Sequence, residues 1–380
     1  MIFALVTAVY SFQRRAIIDA TISRNRIDAA EADGLAKGGL RIAEALLYVV
    51  RAKQLSSATG ASDSAPTEDL SGDATTGAID SLWQGIGQFP IRFEEDRSLK
   101  IEIEDEGAKL NLNALVPPDG SPARVGGLDD DTDDPDDADE SGDDFSDGGS
   151  GSSAEDEAVE YLERVLDYIV EGMDAPAEEK NYDTAKIAEN LLDFIDGDDR
   201  AINGRSEDEY YRRQDPPYSA WNRPFVSVDQ IGLVEDVDPP LLRAMRHYIT
   251  VHPIGSTTGI NLNRAAPWVL KLVYSGSSGN RRLIGDKLAR DIHKLRNNNK
   301  LVCDDVAADP RCISRSDVGN GELGNGSVYP EGNLPASPSV FRVVTTAQAG
   351  GLKRQFEAIY DTRPISGPQL LSWRRLRGSD

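Results

Sequence analysis

The sequence predicts an α+β protein. A long N-terminal helix packs on a small antiparallel sheet, and a large all-α domain is inserted into that sheet. Three observations lead there. No proline occurs from residue 14 to residue 52, and apolar residues recur in that stretch at helical spacing. Short alternating segments stand near residues 91–103 and again after residue 340. The remaining helical periodicity lies between these two sets of strands, so the strands before and after it should close one sheet around an insertion.

The first helix covers residues 1–55. Its apolar start (Ile2, Phe3, Ala4, Leu5, Val6, Ala8, Val9, Tyr10, Phe12) is stopped by Arg14 and Arg15. A spanning helix needs about twenty apolar residues, so the run is only half long enough. No basic region precedes it and no small-residue cleavage site follows, so it makes a poor signal peptide. It is expected to be the lower half of a membrane helix whose upper half is missing from this sequence. Further on, Ile18, Ile22, Leu35, Ile42, Leu46, Val49 and Val50 keep helical spacing. Gly34, Gly38 and Gly39 weaken the helix but allow close packing against a neighbour.

Residues 56–116 begin as a Ser, Thr, Gly and Asp-rich loop and end in a hairpin. Its strands lie at 91–93 and 99–103, its turn is Asp96-Arg97-Ser98, and Trp83 and Phe89 are expected to cover it. Residues 117–156 form an acidic linker, too poor in apolar surface to fold and expected to be disordered. Residues 157–335 are the inserted helical domain. Helices are expected where Val159, Leu162, Val165, Leu166, Ile169 and Val170 recur, then at 187–195, 229–251, 266–274 and 281–297. Residues 336–380 supply three returning strands, at 340–345, 355–361 and 370–373.

A chain of 380 residues suits two or three such domains. Its formal net charge is −24, but fourteen acids and no base fall between Asp129 and Asp156, which leaves −10 elsewhere. That balance opposes broad binding to nucleic acid or anionic lipid, and is compatible with divalent cations. Cys303 and Cys312 stand close together in a polar, loop-like stretch. They are either a surface disulfide or two free thiols. In an oxidising compartment, a bridge over so short a loop adds about 2–3 kcal/mol on the chain-entropy account. With His247, His252 and His293 they show no zinc-ligand spacing.

Several motifs resemble one family. The run IEIEDEGAKLNLNAL at residues 101–115 looks like the IxIEDExGKxNLNxL segment of general secretion pathway protein K, the K-type minor pseudopilin of type II secretion. Leu192-Asp193-Phe194-Ile195-Asp196-Gly197-Asp198, then Glu207-Asp208-Glu209-Tyr210-Tyr211 and Pro216-Pro217-Tyr218, resemble its LxDWIDxD, EDxYY and PPY run. Asn222-Arg223-Pro224-Phe225, Ile260-Asn261-Leu262-Asn263-Arg264-Ala265, Phe341-Arg342-Val343 and Leu370-Leu371-Ser372-Trp373-Arg374 follow in family order. The matches run from Trp83 to Trp373, with the acidic linker outside them.

The resemblance implies a pilin-like fold, a single-pass anchor in the bacterial inner membrane and a periplasmic globular part. It implies the I and J minor pseudopilins as partners in the pseudopilus tip, no catalysis, and calcium as a cofactor. It also implies a prepilin leader that this sequence lacks. The acidic linker is longer than the family pattern. On the first helix, the apolar stripe Ile18, Ile22, Leu35 and Ile42 is the expected partner interface, because a protruding helix has no core of its own to bury it.

Calcium also has a physical argument. It takes six to eight oxygens, several of them carboxylate, in a flexible loop. Asp196, Asp198 and Asp199 leave a helix end, Gly197 permits a sharp turn, and Glu207 and Asp208 return soon after. The spacing is not that of an EF-hand. The alternative is a solvated acidic loop that caps helices. The paired Asn-Leu-Asn segments, 111–113 and 261–263, read as structural turns or helix caps.

One rival is a helix-hairpin-helix DNA-binding module. Residues 260–263 enter a helix, Gly279 and Gly285 follow, and Arg281, Arg282, Lys287, Arg290, Lys294, Arg296 and Lys300 form a basic stretch. The acidic balance of the whole chain opposes it. An enzyme fits less well, since the sequence carries no phosphate-cradling glycine loop, nucleophile motif or metal-binding histidine pair.

Overall fold

The computed structural model describes residues 2–58, 83, 85–94, 96–116, 151–176, 180–197, 200–202, 204–255, 259–276, 280–304, 306–308, 310–324, 328–330 and 338–376. The expected disordered linker lies almost wholly outside the described residues, as do Asp198 and Asp199. The chain divides into two compact units. One comprises residues 1–105 with 339–380, the other residues 106–338.

The first unit is built from helix α1 (Ile2–Ala58) and strands β1 (Ile91–Glu94), β2 (Arg97–Asp105), β3 (Val340–Ala349), β4 (Leu352–Asp361) and β5 (Gln369–Leu376). The strands form one antiparallel sheet in that order. Phe341 lies opposite Asp105 and Ala349 opposite Arg97, so the strands on either side of the insertion are neighbours at the centre of the sheet. Alternation of period two sends Leu99, Ile101, Ile103, Phe341, Val343, Ala347, Phe356, Ala358 and Tyr360 to one face. Against it α1 buries Ala36, Leu40, Ala43, Leu47 and Val50, whose steps of three and four residues keep one helix face turned inward. Trp83 closes the layer edge-on to Phe341, at 5.4 Å between ring centroids.

Small residues let the helix approach the sheet. A Cβ on Gly39 would stand 2.9 Å from a Leu99 methyl and 3.0 Å from Thr345 Cγ2. Gly34 and Gly38 have nothing within 4 Å, so within this unit it is Gly39 that packs closely on the sheet. At the tight turn between β3 and β4, Gly350 has φ +55°, and a Cβ there would meet the Asp28 carboxylate. Only glycine fits that turn. Glu31 with Arg97 and Asp33 with Arg354 are ion pairs at the same rim. Phe89, expected to cover the hairpin, is 77% exposed instead; Trp83 fills that role.

The second unit is mostly helical but not all-α, which corrects the sequence expectation. Its longer helices are α2 (Gly151–Glu171), α3 (Thr184–Asp193) and α4 (Asp286–Asn297). Short strands accompany them: Leu110–Asn111 pairs in parallel with Ile249–Thr250, Tyr274–Ser275 lies between Arg282–Leu283 and Val328–Tyr329, and Leu301–Cys303 pairs in parallel with Cys312–Ser314. Residues 229–251, expected to be helical, are a 3-10 turn, the helix Pro239–Met245 and a short strand. Pairings of two or three residues leave no readable period in sequence.

The two Asn-Leu-Asn segments hold this unit together from within. In each, the first asparagine accepts the N–H of the second, a side-chain turn. The second asparagine then reaches a remote main chain. Asn113 accepts the N–H of Phe225 and donates to the carbonyls of Phe225 and Val251, all at 2.8 Å. Asn263 accepts the N–H of Val302 and donates to its carbonyl, both at 2.8 Å. Leu112 and Leu262 are buried between them. The core also contains a tyrosine cluster, with Tyr161 stacked on Tyr274 and edge-on to Tyr329. Beside it, Arg281 forms a buried ion pair with Glu157.

Candidate functional site

Two surfaces bear on function. The first is α1. At about 1.5 Å per residue its 57 residues extend for about 85 Å, and only its C-terminal half packs on the sheet. Phe3, Leu5, Val6, Val9, Tyr10, Phe12, Ile17 and Ile27 are exposed. Among the residues expected to meet a partner, Ile18 is 48% exposed, Ile22 44% and Ile42 41%. Leu35 differs: it is half-buried and packs against the helix's own sheet. Neither α1 nor any other helix among the described residues is long and apolar enough to cross a membrane.

Sequence reasoning missed part of this surface. Tyr48 and Val49 are exposed on α1, and Tyr48 lies against the turn at Gly367. On the edge strand β5 and the turn before it, Ile365, Leu370, Leu371 and Trp373 are exposed. Trp373 stacks on Phe356, and Lys37 of α1 lies over both rings. The available signal was the position of β5 as the last strand, because an edge strand keeps one row of backbone groups free.

The second surface is the acidic loop after α3. A cleft of about 230 Å³ is lined there by Asp193, Glu207, Glu209, Glu235, Arg205 and Arg213, among others. An antiparallel bridge between Arg200 and Ser206 closes the loop. Asp193 is buried and accepts the N–H of Ile202. Glu235 and Asp236 both take the Lys186 ammonium, and these hydrogen bonds, Asp236 first, raise the lysine pKa. Burial raises the Tyr211 phenol.

Of the residues nominated for calcium, Glu207 lines the cleft and is nearly buried, and Asp196 is half-buried. Asp208 is committed elsewhere, accepting the N–H of Ala220 and pairing with Arg212. Asp198 and Asp199 lie outside the described residues. Among the described residues, no three His, Cys, Asp or Glu side chains are grouped to hold a metal ion. The described carboxylates therefore do not make a calcium cage by themselves.

Cys303 and Cys312 are joined, with an S–S distance of 2.04 Å. The basic stretch is less available to phosphate than its sequence suggests. Arg281 is spent on Glu157, and the Arg296 guanidinium donates to the Ala265 carbonyl with its pKa lowered by burial. Lys294 pairs with Asp291.

Residues 108–254 match the family described as type II secretion system (T2SS), protein K. No curated protein matches the chain. Among solved structures, it is similar to a chain of the GspK-GspI-GspJ complex from the enterotoxigenic Escherichia coli type 2 secretion system. The sequence identity is 16%, the match covers 81% of this chain and 95% of that one, and the TM-score is 0.46. The family match gives no support for a DNA-binding module.

Proposed function

We propose that this chain, whose residues 108–254 match the type II secretion system protein K family, serves as a minor pseudopilin of the pseudopilus tip. The family is a structural component of secretion, so the role is assembly and not turnover. The observation that supports it most is the exposed half of α1. A helix that leaves Ile17, Ile18, Ile22 and Ile27 in water gains about 1.5–3 kcal/mol for each such side chain a neighbour fully buries.

In this reading α1 packs among the helices of neighbouring subunits. Its first turns, residues 2–12, enter the inner membrane, and the two units lie in the periplasm. Arg14 and Arg15 sit where basic side chains reach lipid headgroups. The partners are minor pseudopilins of the I and J types, the company of the GspK chain in the similar complex. The bulk of residues 106–338 suits an end position in the filament. For calcium the proposal is narrow: Asp196 and Glu207 contribute only if Asp198 and Asp199 complete the set.

The test is a pull-down of the chain against I- and J-type pseudopilins, with calcium and with chelator. A complex lost in an Ile18→Asp, Ile22→Asp variant supports the tip role. No complex for the unaltered chain in either condition overturns it. Loss of the complex in chelator, together with heat released on calcium titration, supports the cation site; a complex indifferent to chelator and no heat overturn it.

A further inference from the structure

In the first unit α1 leaves part of its sheet bare. Gly39 stands against Leu99 of β2 and Thr345 of β3, and Lys37 lies above Phe356 of β4. The pairing of β5 with β4 sets Leu370 opposite Tyr360, Trp373 opposite Ala358 and Arg375 opposite Phe356. Tyr360, Ala358 and Phe356 belong to the face on which α1 packs, and residues opposite one another share a face. Leu370, Trp373 and Arg375 therefore stand on the helix side of the sheet, yet Leu370 is 46% and Trp373 53% exposed.

The helix supplies a wall beside them. One residue after each member of its core stripe (Ala36, Leu40, Ala43, Leu47, Val50) come Lys37, Arg41, Glu44, Tyr48 and Arg51. This second stripe leans toward β5. Lys37 lies over Trp373, Arg41 and Glu44 act on the Tyr360 phenol, Tyr48 meets Gly367, and Arg51 donates to the Arg363 carbonyl. Wall and strand together form a trough with an apolar floor. Its border is basic, with Glu44 the one acid of the two rows, in a chain of net charge −24.

Geometry selects what can lie there. Neighbouring helices pack about 8–10 Å apart, which is about two strand spacings of 4.8 Å. A second helix set beside α1 thus moves over from the central strand β3 to β5. An added strand fits less well. Leu371 is an extra residue between the pairs Ile359–Ser372 and Tyr360–Leu370, and such a bulge spoils an edge for pairing.

We propose that this trough receives the helix of a neighbouring minor pseudopilin, with its apolar ridge on Leu370 and Trp373 and its carboxylates toward Arg41 and Arg375. The inference rests on the tip assignment and deepens it. The stripe at Ile18 and Ile22 meets a neighbour below the sheet, and the trough holds a helix alongside the sheet. Its charge selects the neighbour, because an acidic ridge is attracted and a basic one repelled.

The test measures the affinity of the whole chain for I- and J-type pseudopilins. Two further readouts are hydroxyl-radical oxidation of Trp373 and hydrogen exchange of the amides of residues 369–376. An Arg41→Glu, Arg375→Glu variant changes two exposed side chains and should keep the melting temperature. It is expected to bind about tenfold more weakly, with the difference shrinking at high salt. In the unaltered complex Trp373 should be protected from oxidation, while the β5 amides exchange as in the free chain. No complex of the unaltered chain overturns the tip assignment and the trough with it. A complex in which Trp373 stays oxidisable and the variant keeps full affinity overturns the trough alone. Protection of the β5 amides would put a strand there, and protection of Trp373 that rises with the concentration of the chain alone would put a second copy there; either overturns the proposal.

Discussion

Over residues 32–50, α1 turns Ala32, Ala36, Leu40, Ala43, Leu47 and Val50 into the core of its own unit, whereas over residues 3–27 it leaves Phe3, Tyr10, Phe12, Ile17 and Ile22 in solvent. The halves differ less in apolarity than in side-chain size. The packed half uses alanine and Gly39 so that the helix can lie close to Leu99 and Thr345; the exposed half uses large branched and aromatic groups. Small residues mark a helix that already has its neighbour, and large ones a helix still lacking it.

The same truncation should therefore give different results in the two halves. Leu47→Ala, at a fully buried site, is expected to cost about 2–5 kcal/mol in urea unfolding. Ile22→Ala should stay within about 0.5 kcal/mol. A similar cost at Ile22 would show that the exposed half already packs on something within the chain. The adjacent glycines sharpen the contrast. Gly39→Val should destabilise by about 1–3 kcal/mol, because Leu99 and Thr345 occupy the space. Gly38→Ala, in open space, should stabilise by about 0.5–1 kcal/mol through helix propensity. Equal signs at the two positions would contradict the described approach of helix to sheet.

Smaller effects belong to the rim where packing stops. Glu31→Ala and Asp33→Ala remove ion pairs with Arg97 and Arg354. Each should cost no more than about 1 kcal/mol, and less at high salt. The smallest expected stability effect comes with the largest functional one. Ile18→Asp with Ile22→Asp should leave the melting temperature unchanged and abolish co-purification with the other minor pseudopilins. A fall in melting temperature would return those residues to the chain's own core.

The long elements were legible because they carry a period. The N-terminal helix, the 91–103 hairpin and the three returning strands are all present, and β3, β4 and β5 run a few residues beyond their expected ends. The short strands of residues 106–338 were not legible. Leu110 pairs with Ile249 and Val302 with Ile313, contacts too short or too remote for any local pattern. Leu35 shares helical spacing with Ile18 and Ile22, but it lies where α1 has already met its sheet and is half-buried there, a boundary that spacing alone does not show. The Asn-Leu-Asn segments were readable as turns, but nothing local to Asn113 points to Phe225 or Val251. In the acidic loop the sequence shows charge, but not that Asp208 is already committed to Arg212 and Ala220.

Asp105 and Phe341 face one another across the two central strands, and residues 106–338 stand between them in the chain. The centre of the sheet thus has the longest loop in its unit to close. Joining those strands while some 230 intervening residues are unfolded costs about 5 kcal/mol in loop entropy on the logarithmic scaling. Once the intervening unit has folded, much of that cost has already been met. The order favoured by loop entropy is that the inserted unit forms first, β2 and β3 then pair, and the packed half of α1 gains its surface last. Until then the apolar stripe of residues 32–50 is uncovered as well as that of residues 3–27, so slow folding of the inserted unit lengthens the time during which the subunit is most prone to aggregate.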